Sequence, residues 1–207
     1  MTVLSRTKVF SALAASADGY ITGPDPSPEQ ALGAGGGQLF DWYFSGDQPS
    51  RQFDGFRLAE PSREVFDTVA ARVGAIIAGR TTYDHSGGWD GRGPHPTAPL
   101  FVLSHRPPPE RLADAPQVFV STGIEDAIAR ASRAAAETER DVALMGSGVI
   151  NAALRAGLLD EVTVHQVPVL LGGGTPYFGA LPAPVDMDVV RVVAAPGVTH
   201  LTFAIRR

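Results

Sequence analysis

Cysteine is absent from the 207-residue sequence. No disulfide, thiolate nucleophile, iron–sulfur cluster or cysteine-ligated zinc can be built without it, although its absence says little about redox compartment. Lysine is nearly as scarce, with Lys8 alone beside 16 arginines. A Walker A lysine and the Tyr-x-x-x-Lys pair of short-chain dehydrogenases are thereby excluded. A Schiff-base lysine would have to be Lys8, which opens an apolar, strand-like run. Long apolar stretches are missing too: no run approaches the roughly 20 residues of a membrane helix. Met1 to Lys8 has neither the apolar segment nor the cleavage site of a secretory signal, so the expectation is a cytoplasmic protein without a membrane partner. Basic clusters are lacking at a net charge of −5, which argues against nucleic acid. The histidines, His85, His95, His105, His165 and His200, form no i, i+4 or His-x-His pair. No metal site is expected, and His165, alternating with valines, reads as an interior or edge histidine.

What is present suits a folded α/β protein. Apolar residues make up 44% and charged residues 19%, the proportions of a globular domain, and the length suits one domain over 1–207. Val9 to Ala15 reads as a strand, followed by a turn at Ser16-Ala17-Asp18-Gly19. Thr22 to Glu60 is a long irregular stretch whose length marks a lid or insertion. From Pro61 the spacing of Val65, Phe66, Val69 and Val73 predicts a helix ended by Gly74. Strands are expected at 75–78, 100–103, 117–120, 142–145 and 161–171. Helices are expected from Arg80, from a capping box at Thr122-Gly123-Ile124-Glu125 to about Glu137, and from an N-cap at Ser147 to Gly157. The end of the chain reads as an antiparallel pair, 185–194 and 198–205, around Pro196-Gly197. The alternation predicts a mainly parallel sheet with an antiparallel edge. Such sheets bind ligands at the carboxyl ends of their strands.

Those ends carry distinctive chemistry. Gly79-Arg80-Thr81-Thr82-Tyr83 joins a glycine, a forked cation and hydroxyls to a helix N-terminus, a combination suited to phosphate; an arginine snorkelling from a helix start is the plainer reading. Ser104-His105-Arg106 is a second anion candidate, or an ordinary polar turn. Met145-Gly146-Ser147-Gly148-Val149-Ile150 is a third, with small residues allowing close approach. It lacks the last glycine of the dinucleotide fingerprint and is no nucleophile elbow, since Met145 stands where that motif needs glycine. Three such corners in succession point to a ligand with several phosphates, such as a dinucleotide with a 2′-phosphate.

At these residues the sequence resembles the dihydrofolate reductase-like superfamily. More narrowly it is similar to the C-terminal reductase domain of the bifunctional riboflavin-biosynthesis deaminase–reductase and its stand-alone relatives. The resemblance lies in Ser16-Ala17-Asp18-Gly19-Tyr20-Ile21, Gly79-Arg80-Thr81-Thr82-Tyr83, Val102-Leu103-Ser104, Met145-Gly146-Ser147-Gly148 leading to Gly157-Leu158-Leu159-Asp160-Glu161, and Pro168-Val169-Leu170-Leu171-Gly172-Gly173-Gly174. It implies a three-layer α/β fold with helices on both faces of the sheet, an NADPH-dependent oxidoreductase and a homodimer through the terminal strands. It further implies that the backbones of Ala14 and Ile21 hold the nicotinamide carboxamide. Arg80 with Ser104, His105 or Arg106 would take the 2′-phosphate, and Thr81, Thr82 and the Gly146–Ile150 turn would face the pyrophosphate. The zinc deaminase half has no counterpart, since its Pro-Cys-x-x-Cys cannot exist here.

The reaction so implied is hydride transfer to a small planar heterocycle of pterin, pyrimidine or riboflavin-precursor type. A non-catalytic nucleotide- or pterin-binding protein on the same scaffold is the alternative. Asp18 is a candidate substrate anchor or proton relay, or a turn-capping aspartate. Glu64 is a candidate proton donor, or a solvated helix-start glutamate. Trp42 and Tyr43 could stack on the substrate, or anchor the lid to the core.

Overall fold

The computed structural model describes residues 6–207. Its elements in chain order are β1 (Val9–Ser16), β2 (Gln48–Pro49), β3 (Arg57–Leu58), α1 (Glu60–Ala71), β4 (Val73–Gly79), α2 (Arg80–His85), β5 (Leu100–Leu103), β6 (Val118–Val120), α3 (Ile124–Ala136), β7 (Asp141–Met145), α4 (Ser147–Arg155), β8 (Glu161–Val167), β9 (Met187–Ala195) and β10 (Val198–Ile205). Eight strands form one sheet in the order β6-β5-β4-β7-β1-β8-β10-β9, and β2 pairs with β3 apart from it. The pairings from β6 across to β8 are parallel, while β8–β10 and β10–β9 are antiparallel. The expected mostly parallel sheet with an antiparallel C-terminal edge is the one found.

Central strands are apolar on both faces because both are covered. In β1, Val9, Leu13 and Ala15 face the layer built by α3 and α4, where Ala127, Ala131, Ala135, Ile150 and Ala153 are buried. The alternate residues Phe10, Ala12 and Ala14 face the other way, toward α1 and the 22–60 segment. That segment supplies core of its own: Leu39, Trp42 and Leu58 close over Ala14, Val167 and Val198. Its regular part is a 3-10 helix at Gly36–Phe44, in which residues three apart share a face.

Several local expectations need correction. Gly74 does not end α1 but lies inside β4. A Cβ there would come within 2.9 Å of Ala135 and within 2.7 Å of Arg140, so the glycine lets α3 and its C-terminal turn press against the strand. The capping box at Thr122 does not form: Gly123, at φ 107°, takes the cap position, and the Thr122 hydroxyl donates to Asp126. Gly146, not Ser147, precedes the first turn of α4. Strand β8 stops at Val167 rather than Leu171, because Pro168 has no N–H for the ladder.

Candidate functional site

The sheet opens where the strand ends diverge. Strand β1 pairs with β7 over Val9–Ser11 only, but with β8 over Phe10–Ser16. The side of Ala12, Leu13 and Ala14 that faces β7 therefore has no ladder partner, and its backbone groups border a notch. On the far side β7 runs beside β4 as far as Ala78↔Met145, and β4 runs beside β5 as far as Gly79↔Leu103. The corners leading into α2 and α4 thus stand next to one another. A groove of about 390 Å³ occupies the notch, lined among others by Ala14, Ile21, Tyr43, Thr81, Thr82, Met145 and Gly146.

Gly146 sets the tightness of the corner. Its φ is 98°, a conformation that L side chains rarely adopt, and a Cβ would meet Thr82 Oγ1 at 2.3 Å. Its neighbour Gly148 faces open space, and the first N–H groups of α4 start here, so an anion can reach them. Val149 and Ile150 point their side chains into the core, and the Ile150 N–H already donates to the Gly146 carbonyl at 3.2 Å, so only the N–H groups before it are left for an anion. Ser147 hydroxyl accepts from the Asn151 amide at 3.0 Å.

A second cluster lies one strand over. Arg80 Nη1 donates to Ser104 Oγ at 3.2 Å and to the carbonyls of Arg106 and Pro107 at 3.1 and 2.9 Å. Its Nε donates to Asp84 at 2.8 Å, and Arg106 reaches the other Asp84 oxygen at 3.0 Å. Two guanidiniums thus share one carboxylate, leaving a single net positive charge. Asp84 carries no distinctive sequence signal and was not among the expected residues. Gly79 is the extended N-cap residue that joins β4 to this cluster, and His105 is exposed in the loop beside it.

The expected proton-handling residues lie elsewhere. Asp18 is not part of the groove lining. Its carboxylate accepts from the amides of Leu171 and Gly172 at 3.1 and 2.8 Å, clamping that turn. The Ser16 hydroxyl, with those amides, holds its carboxyl below the ordinary range. A proton donor needs the opposite shift, so of its two readings the turn-capping one describes this residue. Glu64 sits on the outer face of α1, paired with Arg191 at 3.0 Å and largely exposed. Trp42 is 1% exposed, its ring 4.0 Å from that of Tyr43 and packed on His165 and His200. It anchors the lid, whereas Tyr43 and Phe40, on the other face of the 3-10 helix, reach the groove.

Sequence reading also missed Thr22, Thr175, Ser86 and Trp89 in the groove wall. Trp89 had a local signal: it lies in Gly87-Gly88-Trp89-Asp90-Gly91, five consecutive residues of positive φ, a conformation usually left to glycine. Among the described residues there is no group of three or more histidines or carboxylates placed to hold a metal, and no helix long and apolar enough to cross a membrane.

The model of the RibD C-terminal domain family matches residues 7–201. The chain belongs to that family. No curated protein matches it, but solved structures do. A protein from Shewanella sp. PV-4, provisionally assigned to riboflavin biosynthesis, is 25% identical, with 97% of this chain and 100% of that one covered at a TM-score of 0.70. A dihydrofolate reductase from Enterococcus faecalis, complexed with NADP(H), is 14% identical over 98% of both chains at 0.57. A diaminohydroxyphosphoribosylaminopyrimidine deaminase/5-amino-6-(5-phosphoribosylamino)uracil reductase from Thermotoga maritima is 13% identical at 0.57, this chain spanning 57% of its length. The likeness is one of fold: the sheet described above is of the dihydrofolate reductase type.

Behind the lid the domain buries a polar chain. Ser62 Oγ lies 3.0 Å from His200 Nε2, and His200 Nδ1 lies 2.8 Å from His165 Nδ1. Burial pushes both imidazoles below the ordinary 6.5, helped by each other for His165 and by Arg191 for His200. The unfolded chain therefore takes up protons near pH 6.5 that the folded protein refuses. Stability is expected to be flat above about pH 7.5 and to fall as pH drops through 6.5, by up to about 1.4 kcal/mol per pH unit for each histidine. Urea unfolding at pH 7.5, 6 and 5 measures this, and a constant stability over that range contradicts it.

Proposed function

We propose that this RibD C-terminal domain protein is an NADPH-dependent reductase acting on a small planar heterocycle. The observation that carries the reading is the convergence of the β1, β4 and β7 ends on one groove, with the Arg80 cluster alongside. The residues suit the cofactor: unpaired backbone at Ala14 for an amide, the N–H groups of the Gly146–Ile150 turn ahead of Ile150, whose own N–H is taken by the Gly146 carbonyl, beside Thr81 and Thr82 for a pyrophosphate, and the guanidiniums of Arg80 and Arg106, braced by Ser104, for a 2′-phosphate. Bound NADPH supplies a hydride to a polarised C=N or C=O of the substrate. The protein's share is to orient the two rings and exclude water, with Tyr43 and Phe40 as the lid-side wall.

NADPH and NADH titrations followed by nucleotide fluorescence test the cofactor; binding of neither defeats the proposal. One observation favours the alternative of a binding protein without turnover: no carboxylate lines the groove. Steady NADPH consumption with a pterin, pyrimidine or flavin precursor eliminates that alternative.

The reading extends to a homodimer. Edge strand β9 exposes Met187, Val189, Val190 and Val192, more apolar surface than an unprotected sheet edge tolerates. Light scattering is expected to give twice the 21.7 kDa chain mass, and Val190→Lys to reduce it to that of one chain. A monomeric wild type ends this part of the proposal.

A further inference from the structure

A second void, about 210 Å³, lies behind the groove and shares Ala12, Leu13, Phe40, Tyr43 and Met145 with it. Six aromatic side chains line it: Phe10, Phe40, Tyr43, Phe53, Phe56 and Phe66. No charged side chain does. Bringing an ion here would strip its hydration with nothing to replace it, whereas a flat ring gains stacked and edge-on contacts.

The polar groups of this chamber reduce to very few. Besides Tyr43 they are His95 and His165. His95 is spent: Nδ1 accepts from the amides of Thr97 and Ala98, and Nε2 faces the Ala70 carbonyl. His165 has its Nδ1 on His200, and no partner takes its Nε2 among the described residues. The sealed side-chain polar atoms that lack a partner there are Trp42 Nε1 and Arg63 Nε. His165 is itself only 2% exposed, but its ring is part of the chamber wall, and Nε2 is the ring nitrogen left without a partner there.

We propose that His165 Nε2 is the polar anchor for the substrate. It selects an uncharged flat heterocycle that offers one hydrogen-bond donor or acceptor beyond the groove. This inference rests on the reductase reading for its function, but the binding itself does not.

The Ser62–His200–His165 chain makes the anchor two-faced. When Ser62 donates to His200 Nε2, the His200 Nδ1–H points at His165 Nδ1, and His165 Nε2 carries the proton and donates. When His200 Nε2–H donates to Ser62, His165 Nδ1 carries the proton and Nε2 accepts. Either ring state is neutral, so the chamber stays uncharged in both. The same site can meet a lactam N–H or a lactam carbonyl, as the pyrimidine half of a fused heterocycle presents on neighbouring atoms. A phosphorylated side chain finds no place in the chamber and has to remain in the open groove.

Quinolin-2(1H)-one, a flat neutral lactam, and naphthalene, its apolar counterpart, are the probes. Two substitutions separate the nitrogens of His165. His165→Asn keeps an amide near the Nδ1 position and loses Nε2, whereas His165→Gln reaches the Nε2 position and gives up Nδ1. Calorimetry is expected to show quinolinone affinity reduced about tenfold in His165→Asn and less than threefold in His165→Gln, the usual scale for one buried hydrogen bond. Naphthalene is expected to bind all three proteins alike. On 15N-histidine-labelled wild type, which needs no variant to fold, saturation with quinolinone is expected to move the His165 Nε2 resonance and not that of His95. An unmoved resonance, unchanged affinity in His165→Asn, or equal losses for quinolinone and naphthalene overturns the proposal. NADPH titrated separately keeps the readings apart, because its failure would remove the reductase proposal and leave the probe result standing.

Discussion

Gly146→Ala is expected to lower the melting temperature by about 5–10 °C and to weaken NADPH binding more than a hundredfold. Two costs combine at this residue. The backbone at φ 98°, ψ 141° is open to glycine and costs any other residue on the order of 1–3 kcal/mol. The added carbon would also sit 2.3 Å from Thr82 Oγ1, so the Thr82 side chain or one of the two corners must move. A domain of this size loses roughly 2–4 °C per kcal/mol, which gives the thermal figure. The binding loss is larger because the displaced atoms begin α4 and face the groove, where a shift near 1 Å misaligns every N–H offered to a phosphate. Thr82→Ala in the Gly146→Ala background removes the clash and leaves the backbone strain. It should recover part of the stability, with a coupling of at least about 0.5 kcal/mol, and little of the affinity. A Gly146→Ala protein with wild-type melting temperature and wild-type NADPH affinity would show that the corner is slack.

The order of elements was legible because parallel sheets announce themselves locally: short apolar runs, each followed by a glycine or serine and a helical pattern. Boundaries failed where a distant contact decided them. Gly74 looks like a helix stop when only its neighbours in sequence are considered. The reason for a glycine there is Ala135 and Arg140, more than 60 positions away. At Thr122 the spacing of a capping box was real, but a different partner, Asp126, took the hydroxyl. Pro168 was visible and should have ended β8 by its missing N–H alone.

The candidate site divides in the same way. Arg80, Thr82 and Gly146 lie at strand ends, where the parallel topology itself brings them together. The lid residues depended on which helical period applied. A 3.0-residue turn separates Leu39 and Trp42, which face the core, from Phe40 and Tyr43, which face the groove. Without that period Trp42 and Tyr43 read as one aromatic pair. Asp18 and Glu64 have the right chemistry for proton transfer, but the backbone amides of Leu171 and Gly172 and the guanidinium of Arg191 claim them. The chamber behind the groove was hidden entirely, since its aromatic walls come from 10, 40–66 and 165 and meet only when the lid folds over the sheet.

Arg80 offers the sharper test of the cofactor, because two substitutions should act with opposite sign. Arg80→Ala is expected to weaken NADPH tenfold to a hundredfold and NADH by less than threefold. That range corresponds to about 1.5–3 kcal/mol for a charge-assisted hydrogen bond to phosphate. Its Nε and Nη1 are engaged by Asp84, Ser104 and two carbonyls, which fix the fork and leave Nη2 without a partner among the described residues. Asp84 meanwhile cancels one of the two positive charges that the proposal sets against a 2′-phosphate. Asp84→Asn should therefore tighten NADPH severalfold, leave NADH unchanged and steepen the loss of NADPH affinity with added salt. Arg80→Lys keeps the charge without the planar fork and should fall between wild type and Arg80→Ala. Equal losses of NADPH and NADH in Arg80→Ala would mean that the arginine serves only to tie the Arg106–Pro107 loop to the strand ends. A 2′-phosphate would then have to be sought elsewhere, and the preference for NADPH over NADH would have no basis in this cluster.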